Sequence, residues 1–228
     1  MSSIVYEPLK LMRKDGKMVD AVYYNNADIE NVEILNIKEL KFEGKDVKDI
    51  KKADIHNAVL KNEDKIYVQN NKTKMVAGLS KKHLNKIIST IFTRDIESRY
   101  AYIKKELISN VDTIFYKSIP ILRHNELKRP LLFDTQIIHR FAVPIKIGGL
   151  FFLAMITVKE RLDYKEVMID EFSIYDLYSK HSDIENNCDI NLLINFVKEI
   201  ENYIDNTTIP FIMNNIGYLG RLQLPPNF

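Results

Sequence analysis

His139 opens the apolar run HRFAVPIKI with Arg140 beside it, and Thr157 and Lys159 close the next run, LFFLAMITVKE. An imidazole titrates near neutral pH, so it can take or give a proton. Cleaving RNA without a metal asks for little more. One group removes the 2′-hydroxyl proton, another protonates the leaving oxygen, and fixed cations stabilise the charged phosphorane. These residue types therefore suit metal-free phosphodiester chemistry, with His139 as acid or base, Arg140 and Lys159 as cations and Thr157 as hydrogen-bond donor to a phosphate oxygen. Lys82 and Lys86, one turn apart on a predicted helix, add charge from a second element, and Tyr175 and Tyr178 offer rings on which bases could stack.

Each residue also has a plainer reading. His139 packs its ring at a sheet edge. The lysines form a solvated face in a lysine-rich chain. Thr157 is a β-former, and Lys159 is an edge charge that discourages strand-to-strand aggregation. Tyrosines commonly bury the ring and leave the hydroxyl wet. His83, His124 and His181 show no partner in the sequence. The patterns GxxxxGK[ST], GxGxxG, HExxH and GxSxG are absent. Asp170 and Glu171 are adjacent, and neighbouring side chains in a strand point to opposite faces, so no metal site is expected there. No cofactor is expected either.

The elements that must position these groups read as α+β: strands and helices first, then an antiparallel β-meander, then a C-terminal helix. Three strands are expected between Ile137 and Tyr178. Gly148-Gly149 supplies the positive φ angles of a two-residue hairpin between the first two. The alternation places His139, Phe141, Val143 and Ile145 on one face and Arg140, Ala142, Pro144 and Lys146 on the other. Pro144 lacks a ladder donor, which predicts an edge strand or a bulge. Lys117 to Asp134 reads as a basic loop. Ser80 is a preferred N-cap for the helix SKKHLNKIISTIF, whose Leu84, Ile87, Ile88 and Ile91 recur at i, i+3, i+4 and i+7. A second helix is expected over Asp95 to Asn110, continuing through Val111 to Tyr116.

Earlier in the chain, strands are expected over Met18 to Tyr24 and Val32 to Phe42, and helix over Asp46 to Lys61. Two short strands are expected around Asn70-Asn71-Lys72-Thr73, where an asparagine could take the left-handed angles. Near the end, Cys188 falls in a polar loop and Asp189 caps a helix through Tyr203. Residues 1–30 read as an N-terminal extension, 31–178 as the main domain and 179–228 as a C-terminal helical extension.

With 33 basic residues against 31 acidic ones, the net charge of +2 makes no strong global field, so a nucleic-acid site must be a local patch. One cysteine excludes an internal disulfide and a cysteine-rich zinc site. The start has no signal-peptide core, and the longest apolar run is about half of a bilayer span. A cytoplasmic protein, or a piece of a larger cytoplasmic polypeptide, is expected, with no membrane partner.

The pieces NNKTKMVAGLSKKHLNK (residues 70–86) and HRFAVPIKIGG, ITVKE and FSIYDLY (within 139–178) resemble nuclease-like domains attached to phage polyvalent proteins, grouped with the barnase–EndoU–colicin–RelE-like nucleases. The resemblance covers roughly residues 31–178. It implies an α+β fold with an active site on an antiparallel sheet. The family's helix lysine maps to Lys86 with Ser80 beside it, its strand histidine to His139, and its strand-end pair to Thr157 and Lys159, with Arg140 and Tyr175 as weaker carry-overs.

The resulting expectation is a metal-independent endoribonuclease domain of phage or toxin type. It would cleave single-stranded RNA through 2′-hydroxyl attack and could be held by an inhibitor or immunity protein. Catalysis would fall to His139, Lys86, Thr157 and Lys159, and substrate binding to Arg140, Ser80, Lys82 and Tyr175. The rival is a catalytically inactive module that binds nucleic acid or protein through the same sheet. A third reading is an interaction protein that self-associates through the C-terminal helix.

Overall fold

The structure, a computed structural model, describes residues 5–12, 15–25, 31–92, 98–127, 135–176 and 188–189. Over these the chain is α+β. Strands β1 (Val5–Met12), β2 (Met18–Asn25), β3 (Asn31–Val32) and β4 (Leu35–Ile37) lead to helix α1 (Lys52–Leu60), strands β5 (Lys65–Gln69) and β6 (Val76–Ser80), and helices α2 (Lys81–Phe92), α3 (Ser98–Ser109) and α4 (Val111–Lys117). Strands β7 (Ile119–Asn125), β8 (Gln136–Ile147), β9 (Leu150–Arg161) and β10 (Glu166–Asp176) follow, and β11 (Cys188–Asp189) pairs with β3. The expected C-terminal helix lies outside the described residues. Cys188 and Asp189, expected in a loop and at a helix cap, sit instead in that short antiparallel pair.

One sheet runs in the order β1-β2-β7-β8-β9-β10-β6-β5, with β4 alongside β8. The expected meander is its centre: β8 pairs with β9 along its whole length, and β9 with β10. Gly148 and Gly149 both have positive φ, 55° and 77°, as a hairpin turn of this kind requires. The stretch Lys117 to Asp134, read as loop, contains strand β7. Its two prolines hid it. Pro120 is accommodated because the register slips between Pro120 and Leu122, so the missing ladder donor falls at a bulge. Pro144 lies in an interior strand rather than at a sheet edge. Strand β7 accompanies β8 only to Ala142 and β4 takes over at Ile145, so Pro144 occupies the seam between them.

The N-terminal hairpin is built into the same sheet, because Ala21, Val22 and Tyr23 of β2 pair with β7. Only parts of the expected strand Val32 to Phe42 are extended, and the chain turns at Gly44, φ 78°. That turn is tied down by Glu106, fully buried on α3, which accepts from the backbone N–H groups of Lys41 (2.9 Å) and Phe42 (2.7 Å). In the β5–β6 turn the left-handed residue is Lys74, φ 61°, rather than an asparagine. Asn70 is fully buried and works as a staple. Its amide donates to the carbonyls of Phe115 (2.7 Å) and Ser118 (2.8 Å), and its oxygen accepts from Lys72 and Thr73.

The core lies between one sheet face and the helices. Phe141, Val143, Ile145, Ala154, Ile156, Val158 and Ile169 pack with Ile55, Leu84, Ile88, Leu107 and Phe115. Phe115 and Phe141 meet edge to face at 5.1 Å. Each fully buried aliphatic or aromatic side chain contributes about 1.5–3 kcal/mol. The opposite face carries Ala142, Leu153 and Met155, which are buried as well. Strands β8 and β9 therefore read as near-continuous apolar runs instead of alternating ones. Among the described residues no helix is long and apolar enough to cross a membrane.

Candidate functional site

Helix α2 starts directly from the end of β6, and Ser80 makes the join. Its Oγ accepts the backbone N–H of His83 at 3.4 Å and shares a 2.8 Å hydrogen bond with His83 Nδ1. Leu84, Ile87 and Ile88 bury the inner stripe of the helix. That orientation leaves Lys82 and Lys86 exposed and His83 half-buried at the flank.

Lys86 reaches the central strands. Its Nζ lies 2.7 Å from Asp170 Oδ2 and 3.5 Å from Glu171 Oε1. Asp170 also receives Lys159 Nζ at 2.9 Å, and Lys159 lies 3.8 Å from Glu126. Arg140 bonds to the Thr157 hydroxyl and sits 3.5 Å from Glu171, while Thr157 Oγ1 donates to Glu171 at 3.4 Å. The register explains the row. Arg140 pairs with Thr157, and Thr157 pairs with Glu171, so the three share one face.

The expectation that Asp170 and Glu171 point apart is overturned. The ladder pairs Ile169 with Val158 and Glu171 with Thr157, leaving Asp170 as an extra residue in a β-bulge. A bulge breaks strict alternation and re-aims a side chain. Both carboxylates consequently meet Lys86. Among the described residues no group of three or more His, Cys, Asp or Glu side chains is placed to hold a metal ion.

The cluster has three cations (Lys86, Arg140, Lys159) and three carboxylates (Glu126, Asp170, Glu171). Lys86 and Glu171 are about half exposed, whereas Asp170, Lys159 and Arg140 are largely covered. Burial pushes the Asp170 carboxyl up, but the bonds from Lys86 and Lys159 outweigh it and hold the carboxyl below its ordinary value. Glu171 is likewise held low, burial opposing and Arg140 and Lys86 prevailing.

His139 is not in this cluster. It pairs with Val158 and faces the side opposite Arg140 and Thr157. Its side chain is 5% exposed, its Nε2 is 2.8 Å from Glu160 Oε2, and its Nδ1 is buried with no hydrogen-bond partner among the described residues. Burial pushes the imidazole below its ordinary value, against the raising effect of Glu160. The expected single constellation is thus divided by the sheet itself. Lys86, Arg140, Thr157 and Lys159 come together, and His139 lies across the sheet from them. Ser80 caps the helix that carries Lys86. No ion pair among the described residues joins Lys82 to the cluster. The backbone of Tyr175 pairs with Leu153 in β10, and its side chain lies outside the described residues, as does Tyr178.

Three carboxylates of the cluster were not read as site residues in the sequence: Glu126, and Asp170 and Glu171, whose shared reach to Lys86 depends on the bulge; His83, on the helix beside Lys86, was read without a partner. The spacing of His83 and Lys86, three apart on one helix, could have flagged the histidine. Elsewhere, a groove of about 530 Å3 runs beside β5 and α4, lined by Ile66, Tyr67, Val68 and Tyr116 among others, and no cluster residue lines it.

No curated protein and no solved structure matches the chain. Residues 45–175, more than half of it, match the large polyvalent protein-associated domain 3. The match spans α1 through β10 and so takes in every residue of the charged cluster. It carries the association with polyvalent proteins that the resemblance implied and makes no statement about a nuclease. The chain therefore belongs to the large polyvalent protein-associated domain 3 family.

Proposed function

We propose that this domain is a metal-independent endoribonuclease acting in the cytoplasm, with the scissile phosphate handled by Lys86, Arg140, Thr157 and Lys159. The observation that carries the reading is the convergence of three cations and a hydroxyl from α2, β8 and β9, with Lys86 and Glu171 at an open rim. A phosphodiester arriving there would compete with Asp170 and Glu171 for the same donors, and fixed cations favour the dianionic phosphorane over the monoanionic ground state. In the cleavage, O2′ loses its proton and bonds to phosphorus, the P–O5′ bond breaks, and O5′ takes a proton. The products are a 2′,3′-cyclic phosphate and a 5′-hydroxyl. An unpaired RNA loop is the substrate class, because only a flexible nucleotide reaches the in-line geometry.

The second reading, an inactive module that binds nucleic acid or an inhibitor-type protein partner, draws on a different observation. Every cation of the cluster is already matched by a carboxylate, and His139 is closed off. Incubating the chain with single-stranded RNA in EDTA separates the two. Cleavage by wild type and its loss in Lys86→Ala is the expected result. Stable binding of intact RNA on prolonged incubation would replace the nuclease reading with the binding one.

A further inference from the structure

We propose that His83, held by Ser80, is the group that removes the 2′-hydroxyl proton at this site. The inference rests on the nuclease reading above and supplies the group that accepts the O2′ proton, beside Lys86 of the cluster as the donor to the leaving oxygen.

The placement comes from the helix start. His83 and Lys86 lie three residues apart, so they project from the same side of α2, and Lys86 is in contact with Asp170. His83 is half-buried, unlike the closed His139. Ser80 Oγ lies 2.8 Å from His83 Nδ1. With Nδ1–H donated to that oxygen, the lone pair is fixed on Nε2, the form a general base requires. Burial lowers the affinity of His83 for a proton, which keeps the ring neutral near pH 7. The charged groups that act on it are Lys82 and Lys86 on its own helix and Asp170 and Glu166 on β10. The two carboxylates oppose the shift and would stabilise the imidazolium once the proton has been taken.

The step balances with groups present. Nε2 accepts the proton of O2′, O2′ bonds to phosphorus, and P–O5′ breaks. The leaving oxygen takes a proton from the Lys86 ammonium at the open rim. The imidazolium then returns its proton through water to Lys86. Ser80 is a positioning residue and touches no reacting atom.

The test compares wild type, Lys86→Ala, His83→Gln, His139→Gln, Ser80→Ala and Ser80→Thr on one single-stranded RNA oligonucleotide in EDTA from pH 5 to 9. His83→Gln should lose on the order of 100-fold or more in rate and lose the acid limb of the pH profile, while His139→Gln keeps both. Ser80→Ala should slow cleavage and displace the acid limb, and Ser80→Thr, which retains the hydroxyl and the cap, should restore it. A merely structural cap would leave the limb where it is. Wild-type rate in His83→Gln, with loss in Lys86→Ala, overturns the role of His83 and leaves the nuclease standing. A wild type that does not cleave overturns both. Nitrogen-15 NMR of the wild-type imidazole is a separate check that needs no cleavage and no variant: an Nε2–H tautomer at pH 7.5 overturns the assignment.

Discussion

His139 and Arg140 are neighbours in sequence and end in opposite circumstances. His139 faces one side of the sheet, nearly closed to solvent, with its Nε2 held by Glu160. Arg140 faces the other, in a network of six charges whose outer members, Lys86 and Glu171, are half exposed. Strand alternation alone separates them. The residue type that looked most catalytic lies in the closed region, while the cations that looked commonplace in a lysine-rich chain form the open one. Chemistry-bearing residue types do not identify a site until their face and their exposure are known.

The largest effect that would break this comparison is expected at Asp170. Asp170→Ala leaves Lys159 largely covered and stripped of its closest carboxylate, and removing one partner of a covered ion pair is costly. A loss of about 3 kcal/mol in urea unfolding is expected. A loss below about 1 kcal/mol would mean that the cluster is solvated like any surface ion pair.

Acid titration should act in two separate windows, the imidazoles first and the cluster carboxylates below them. The folded chain holds the proton on His139 less readily than the unfolded chain does, because burial outweighs the Glu160 bond. Its contribution is full above about pH 6.5 and is lost as pH falls through the lower folded value. His83 has the same sign. Asp170 is also held low, but in the carboxylate range, so its contribution persists to about pH 4 and is lost only below that. Urea midpoints measured from pH 8 to 3 should fall in two stages, the first reduced in His139→Leu. A single transition at low pH would show that His139 is not shut in as described.

At neutral pH the same His139→Leu change should cost about 1 kcal/mol or less, since it removes one hydrogen bond and one unpartnered buried nitrogen together. Glu160, left without its partner, is partly exposed and can hydrate. The smallest effect is expected for Lys86→Ala, about 0.5 kcal/mol in stability, because Lys86 is half exposed. A large stability loss there would make Lys86 a structural residue, and its effect on RNA would have to be reread accordingly.

Much of the scaffold could be read in advance because its signals are local. Gly148-Gly149 demanded a turn, Ser80 demanded a helix start, and Leu84, Ile87 and Ile88 declared the buried stripe of α2. Alternation correctly set His139 and Arg140 on opposite faces, and only the folded chain showed how far that parts their surroundings. Strand β7 was missed because prolines outweighed its apolar residues, and nothing near Pro120 announces the bulge that tolerates it. Asn70 was read as a turn former, yet its partners lie 45 and 48 residues away in sequence. The charged cluster was legible in its cations and illegible in its anions.

The sequence by itself determined the central β8–β9 hairpin and its Gly148-Gly149 turn, the helix start at Ser80 and the opposite faces of His139 and Arg140, because those follow from backbone sterics, capping and periods of 2.0 and 3.6. Only the tertiary structure decided that α2 would lie against β10, that Asp170 would be the extra residue of a bulge, and that Lys86 would meet a carboxylate 84 residues on. Those outcomes depend on how strands distant in sequence register against one another. Long-range packing sets that register, and no local pattern encodes it.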